Sequence, residues 1–142
     1  VTPIQVFNYI NLLATKGNAN SPHLVSSIKK EPKSEIPLAP HIWDRITFDM
    51  GQVVSHAKGT GKNADPAIQG LEIYGKTGTA ENPHGEDHAW FIGWAQYEER
   101  KFSIVVLLEN SGSGGAVAAP LAKDVFDKII LGINNSKQIS LK

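Results

Sequence analysis

The chain holds 142 residues, 41% of them hydrophobic and 20% charged, the scale of one domain or of a large part of one. Fourteen basic side chains balance fourteen acidic ones, so the summed field offers no footprint for nucleic acid or an anionic membrane surface. No apolar run approaches the roughly 18 residues of a membrane span, and the absence of cysteine excludes disulfides and thiolate metal sites.

In chain order, Thr2 and Pro3 predict a helix start, because a threonine can cap free N–H groups and proline is preset for the first helical position. Ile4, Phe7, Ile10 and Leu13 follow at helical spacing, and Gly17 can end that helix in the left-handed conformation. Pro22 to Ile28 reads as a short strand-like run. Lys29 to Pro40, with three prolines and a run of charges, reads as a linker. From Ile42, the positions Ile46, Met50, Val53 and Ala57 predict one face of a helix that Gly59 and Gly61 close. Leu71 to Ala80, Ala89 to Tyr97 and Phe102 to Glu109 read as strands. Glu98 to Lys101 is expected as a four-residue hairpin loop, and the strongly apolar last strand as the central one. Ser111 to Gly115 reads as a flexible hinge into a final helix with Ala118, Ala122, Val125, Phe126 and Ile129 as its buried stripe. Gly132 is expected to stop this helix and residues 134–142 to form a disordered tail. The pattern predicts an α/β fold of the α+β type, a largely antiparallel sheet flanked by helices.

Three groups of residues could carry chemistry. Gly70-Leu71-Glu72-Ile73-Tyr74-Gly75-Lys76-Thr77 fits the phosphate-loop pattern of nucleotide triphosphatases letter by letter. Such a loop needs a buried strand before it and a helix N-terminus directly after the Lys-Thr pair, whereas Ala64-Asp65-Pro66-Ala67 precedes and Gly78-Thr79-Ala80-Glu81-Asn82-Pro83 follows. The same lysine in a strand, Tyr74 to Ala80, suits an edge that binds an extended anionic peptide: Lys76 supplies charge, Thr77 and Thr79 supply hydroxyls, and Gly78 admits a close backbone. An ordinary surface strand with a solvated lysine is the plain alternative. His84-Gly85-Glu86-Asp87-His88 gathers two imidazoles and two carboxylates, but Pro83 and Gly85 break any helix that could aim them at one metal, so a polar turn is expected and no metal or cofactor is called for. Trp43, Trp90 and Trp94 are expected mainly in the core.

Gly75-Lys76-Thr77-Gly78-Thr79-Ala80 resembles the K-T-G-T element of the penicillin-binding proteins. The likeness extends through Thr2-Pro3-Ile4-Gln5, Pro22-His23-Leu24-Val25, Met50-Gly51-Gln52-Val53-Val54, Trp90-Phe91-Ile92-Gly93-Trp94-Ala95, Leu108-Glu109-Asn110 and Pro120. Their order is similar to that in class B penicillin-binding proteins, most of all the elongation type, penicillin-binding protein 2. The resemblance implies the C-terminal part, residues 1–142, of a D,D-transpeptidase domain that cross-links peptidoglycan stem peptides through a serine acyl-enzyme and binds β-lactam antibiotics. It implies that Lys76 holds the substrate carboxylate and tunes proton transfer, that Thr77, Gly78 and Thr79 bind substrate, that the Thr79 backbone N–H is an oxyanion-hole donor, and that His88 lies beside the groove. It further implies a periplasmic location at the inner membrane, with the anchor outside this chain, and cell-elongation membrane proteins as partners.

The family also needs S-x-x-K, with serine as nucleophile, and S-x-N. Ser26-Ser27-Ile28-Lys29 and Ser27-Ile28-Lys29-Lys30 fit the first by letter but sit in a strand-like run, after the Thr2-Pro3 helix instead of before it. Tyr9-Ile10-Asn11, the nearest variant of the second, falls inside an amphipathic helix. The nucleophile is therefore expected outside the chain, in the rest of the parent domain, and the isolated chain is expected to be inactive. A non-catalytic β-lactam or peptide sensor is the alternative reading.

Overall fold

The threonine and proline at the N-terminus start a helix as their chemistry dictates. Helix α1 spans Pro3–Ala14, and Gln5 Oε1 accepts from the Thr2 N–H at 2.8 Å. The structure, a computed structural model, describes residues 1–19, 22–23 and 34–140. Most of the strand-like run from Pro22 to Ile28, both S-x-x-K letter matches and residues 29–33 of the expected linker lie outside the described residues.

Helix α1 closes with two bonds of a Schellman motif, Gly17 N–H to Leu12 O at 2.7 Å and Lys16 N–H to Leu13 O at 3.2 Å. Two residues take positive φ there, Lys16 at 52° and Gly17 at 88°, so the left-handed turn expected at Gly17 begins one residue earlier. The expected linker is partly structured. Strand β2, Ser34–Glu35, pairs antiparallel with β1, Asn18–Ala19, and Ile36 N–H donates to Gly17 O at 3.1 Å.

Helix α2 spans Pro40–Ser55. Its deeply buried residues are Trp43 and Val54, with Ile46, Met50 and Val53 half-buried between them, whereas Ile42 is exposed and Ala57 lies past the helix end in solvent. The buried face is therefore rotated from the one expected, because Trp43 offers far more apolar area than Ile42.

Strands β3 (Leu71–Ala80), β4 (His88–Tyr97) and β5 (Arg100–Leu108) form an antiparallel meander in the order β3-β4-β5. Tyr97 pairs with Arg100, so the hairpin turns on Glu98 and Glu99 alone, with Glu98 at φ 54°. Two of the four residues expected in the loop belong to β5. The central strand is β4, not β5. Its Ala89, Phe91 and Ala95 are buried on one face and its Trp94 on the other, because helices cover both faces of the sheet.

The sheet has helices on both faces, α1 and α2 on one and α3 on the other. Ile10 and Ala14 of α1 pack around Trp94, while Ala118, Ala119, Ala122 and Phe126 cover Phe91, Ile73 and Val106 on the other side. The chain enters that second layer through a π-helical turn, Gly114–Ala118, and continues as α3, Ala119–Ser140. The buried stripe runs Ala118, Ala122, Phe126, Ile130 and Ile133, and Val125 is 37% exposed because it sits about 100° around the helix from Phe126. Gly132 does not stop the helix. Its φ is not in the left-handed region and a Cβ there would meet nothing within 4 Å, so α3 continues through it and covers residues 134–140 of the expected tail.

Candidate active site

Strand alternation decides what the Lys76-Thr77-Gly78-Thr79 segment offers. In β3 the residues Ile73, Gly75 and Thr77 are buried, and Thr79 continues that face toward solvent; Tyr74, Lys76 and Gly78 point to the α1 side. The two threonine hydroxyls thus share one face and the ammonium group takes the other, wrapping back so that Lys76 Nζ donates to the carbonyl of Thr77. Among the described residues β3 pairs with β4 alone, so its far edge carries backbone groups with no ladder partner. An apolar groove of about 330 Å³ runs along this segment, walled by Val1, Val6, Trp90 and Ile92. A second hollow of about 420 Å³ between α1 and α2 also reaches Lys76.

The same geometry removes the phosphate-loop reading. Strand β3 runs without interruption through Thr77 to Ala80, so no helix N-terminus follows the Lys-Thr pair to receive a phosphate.

The turn at Ser111 to Gly115 does not behave as a hinge. Gly114 is buried against β3 and β4: a Cβ there would lie 2.4 Å from Gly78 O and 2.1 Å from Trp90 O. Gly115 is equally confined, its added Cβ falling 2.6 Å from Thr60 O. These glycines are needed for closeness, and they clamp the turn onto β3.

Sequence reasoning missed Thr60. Read only as part of the stretch that closes α2, it reaches β3, its Oγ1 lying 2.7 Å from Thr77 Oγ1. No periodicity or motif spacing signals this contact between residues 17 apart in the chain. The Thr60 segment is itself tied down, by Gly61 N–H to Val53 O at 2.9 Å and by Asn63 Nδ2 to Gly115 O at 3.1 Å.

The His84 to His88 segment is a polar turn, braced against the start of the glycine-rich segment. Asn82 Nδ2 donates to Asn110 Oδ1, Ser111 and Gly112 N–H both donate to Asp87 O at 2.9 Å, and Asn110 N–H donates to His88 Nδ1 at 3.0 Å. This last bond makes Nδ1 an acceptor and leaves the ring proton of neutral His88 on Nε2. His88 sits opposite Ala80 at the end of the strand and does not line the groove beside Lys76.

Of the tryptophans, Trp43 and Trp94 are core residues and Trp90 is half-buried on the groove wall. Trp94 stacks on Tyr74 with ring centroids 5.0 Å apart. Tyr74 Oη donates to Glu72 Oε2 at 2.8 Å, and burial first, then the Glu72 carboxylate, push the phenol up to about 12.

Residues 1–127 match the model of the penicillin-binding protein transpeptidase domain. The chain belongs to this family. Among curated members, the Haemophilus influenzae peptidoglycan D,D-transpeptidase MrdA is 36% identical over 89% of the chain, and the Mycobacterium tuberculosis peptidoglycan D,D-transpeptidase PbpA is 31% identical over 93%. The chain spans only 23% and 30% of those two penicillin-binding proteins. Pseudomonas aeruginosa PBP2, solved in complex with WCK 5153, shares the fold at a TM-score of 0.78 and 38% identity, covering 89% of this chain and 29% of that one. The imipenem acyl-enzyme of M. tuberculosis penicillin-binding protein A aligns at a TM-score of 0.70 and 28% identity, covering 92% and 31%. A Helicobacter pylori complex between PBP2 and MreC aligns at 0.67 and 28%, covering 89% and 24%. The mixed fold expected from sequence, an antiparallel sheet between helices, is thus that of penicillin-binding transpeptidase domains.

Proposed function

We propose that the chain supplies the substrate-binding strand of a peptidoglycan D,D-transpeptidase that acts through a serine acyl-enzyme and is acylated by β-lactams. The observation that carries this reading is Lys76-Thr77-Gly78-Thr79 on a one-sided strand edge, with both threonines on one face, in a chain matched to the transpeptidase family over residues 1–127. Lys76 provides positive charge for the stem-peptide carboxylate and tunes proton transfer, Thr77 and Thr79 donate their hydroxyls to that carboxylate, and Gly78 lets the peptide backbone approach. The Thr79 N–H serves as an oxyanion-hole donor. His88, with Nδ1 engaged by Asn110, has Nε2 left for a ligand at the end of the strand.

The nucleophilic serine and its lysine come from the rest of the parent domain, beyond this chain. The penicillin-binding protein A acyl-enzyme supports β-lactams as ligands, and the PBP2–MreC complex supports a membrane protein of cell elongation as partner. The parent works on the extracytoplasmic face of the membrane, held by an anchor outside this chain. No observation favours a non-catalytic sensor.

The test is acylation of the full-length parent by a fluorescent penicillin. Lys76→Ala is expected to slow acylation by about a hundredfold or more, the scale of losing one preorganised charge-stabilising group, while the protein stays folded. Unchanged acylation by that variant would remove the assigned role. The isolated chain should not label covalently, and stable labelling would place the nucleophile within it.

A further inference from the structure

We propose that Thr60 is a positioning residue for anion binding at β3: it donates its hydroxyl proton to Thr77 Oγ1, leaving the Thr77 proton for the ligand carboxylate. This rests on the transpeptidase reading above. The two oxygens are 2.7 Å apart, a normal distance between hydroxyls, and a pair of hydroxyls can be polarised in either direction. The direction decides the chemistry. A Thr77 hydroxyl that donates to Thr60 presents only lone pairs to an incoming carboxylate, which repels them. A Thr77 hydroxyl that accepts from Thr60 presents its proton, and the chain from Thr60 through Thr77 to the anion strengthens each bond by polarising the next.

The surroundings suit a fixed relay. Thr77 is 9% exposed and so has little water to compete for its hydroxyl, and Thr60 Oγ1 makes no other hydrogen bond among the described residues. The Thr60 segment is held against Gly115: the Thr60 carbonyl packs on it, and Asn63, three residues later, donates its side-chain N–H to the Gly115 carbonyl. Any larger residue at 115 would push Thr60 away from Thr77. Both partners belong to this chain, so the pair exists whatever else the parent domain adds.

The experiment compares Thr60→Val, which keeps the shape and loses the hydroxyl, with Thr60→Ser, which keeps the hydroxyl, in the full-length parent. The second-order acylation rate is measured with benzylpenicillin and with its methyl ester, which lacks the carboxylate, alongside the thermal midpoint of each protein. Thr60→Val is expected to slow benzylpenicillin by about fivefold, the worth of one hydrogen bond between neutral hydroxyls, and to leave the ester rate nearly unchanged; Thr60→Ser should restore the wild-type rate. Equal slowing of both probes, or failure of serine to rescue, assigns Thr60 a merely structural role and overturns the proposal. Wild-type acylation by Thr60→Val, with Lys76→Ala and Thr77→Val both impaired, also overturns it while keeping the transpeptidase reading. If all three variants acylate normally, that reading falls with it.

Discussion

Gly114 sits on the backbone of Gly78 so closely that a single added Cβ would be 2.4 Å from the Gly78 carbonyl oxygen and 3.0 Å from its nitrogen. The contact joins the start of the last helical layer to the middle of the Lys-Thr-Gly-Thr segment, and neither backbone can move without the other. Gly114→Ala is therefore expected to cost about 3 kcal/mol of stability, at the upper end of ordinary overpacking, because the atoms in the way are backbone and not a flexible side-chain end. Urea denaturation of wild type and variant measures it, and a loss below about 1 kcal/mol would show that the turn relaxes freely.

Phe91 is fully buried and its ring lies over Gly75, where a Cβ would meet the ring at 2.5 Å. Phe91→Ala is expected to destabilise the fold by about 4 kcal/mol through lost burial and a cavity between sheet and α3. Phe91→Leu should cost less than half as much, and equal losses in the two variants would argue against a cavity as the cause.

Tyr74 links stability to alkaline pH. Its phenol moves from 10.0 to about 12 in the folded chain, so the folded state keeps a proton that the unfolded state releases between those values. The resulting stability is fully present below pH 10 and is lost as pH rises through about 12. Chemical denaturation at stepped pH should show a steeper loss in this window for wild type than for Tyr74→Phe, and parallel curves would exclude the contribution.

Ala67 holds φ 57° in an exposed turn, where its N–H donates to Asp65 Oδ1 at 2.8 Å. A Cβ in the left-handed region costs about 1 kcal/mol, which glycine avoids. Ala67→Gly is expected to raise stability by up to about 1 kcal/mol in thermal or urea unfolding, and a clear loss would mean that the turn is not strained.

The sequence was most informative where a period repeats. Ile73, Tyr74, Gly75, Lys76 and Thr77 alternate cleanly, and the three strands begin and end within two residues of their expected bounds. Short periodic stretches were read less well, since Val125 and Phe126 are both apolar neighbours and only the sheet beneath them decides which is buried. The central strand was misjudged for a related reason: β5 is the more uniformly apolar, but centrality depends on having neighbours on both sides, which composition does not encode. At the candidate site, the placement of Lys76 to Thr79 on one strand was legible because the four residues are adjacent. Thr60 was not, because its function comes from a loop brought back by packing, and the glycines at 114 and 115 were read as freedom when they serve as clearance.

The strictly sequential β3-β4-β5 order has a kinetic consequence. Every sheet contact is made between neighbours along the chain, and the two-residue turn at Glu98 and Glu99 closes the β4-β5 hairpin with very little loop entropy to lose. Docking of α1 is the opposite case. Its bonds to β5, Lys101 Nζ to Ala14 O and Ser103 Oγ to Asn11 Oδ1, close gaps of 87 and 92 residues. The meander can therefore form from local contacts, while α1, which packs on β4 and β5, closes its contacts over the longest stretches of chain.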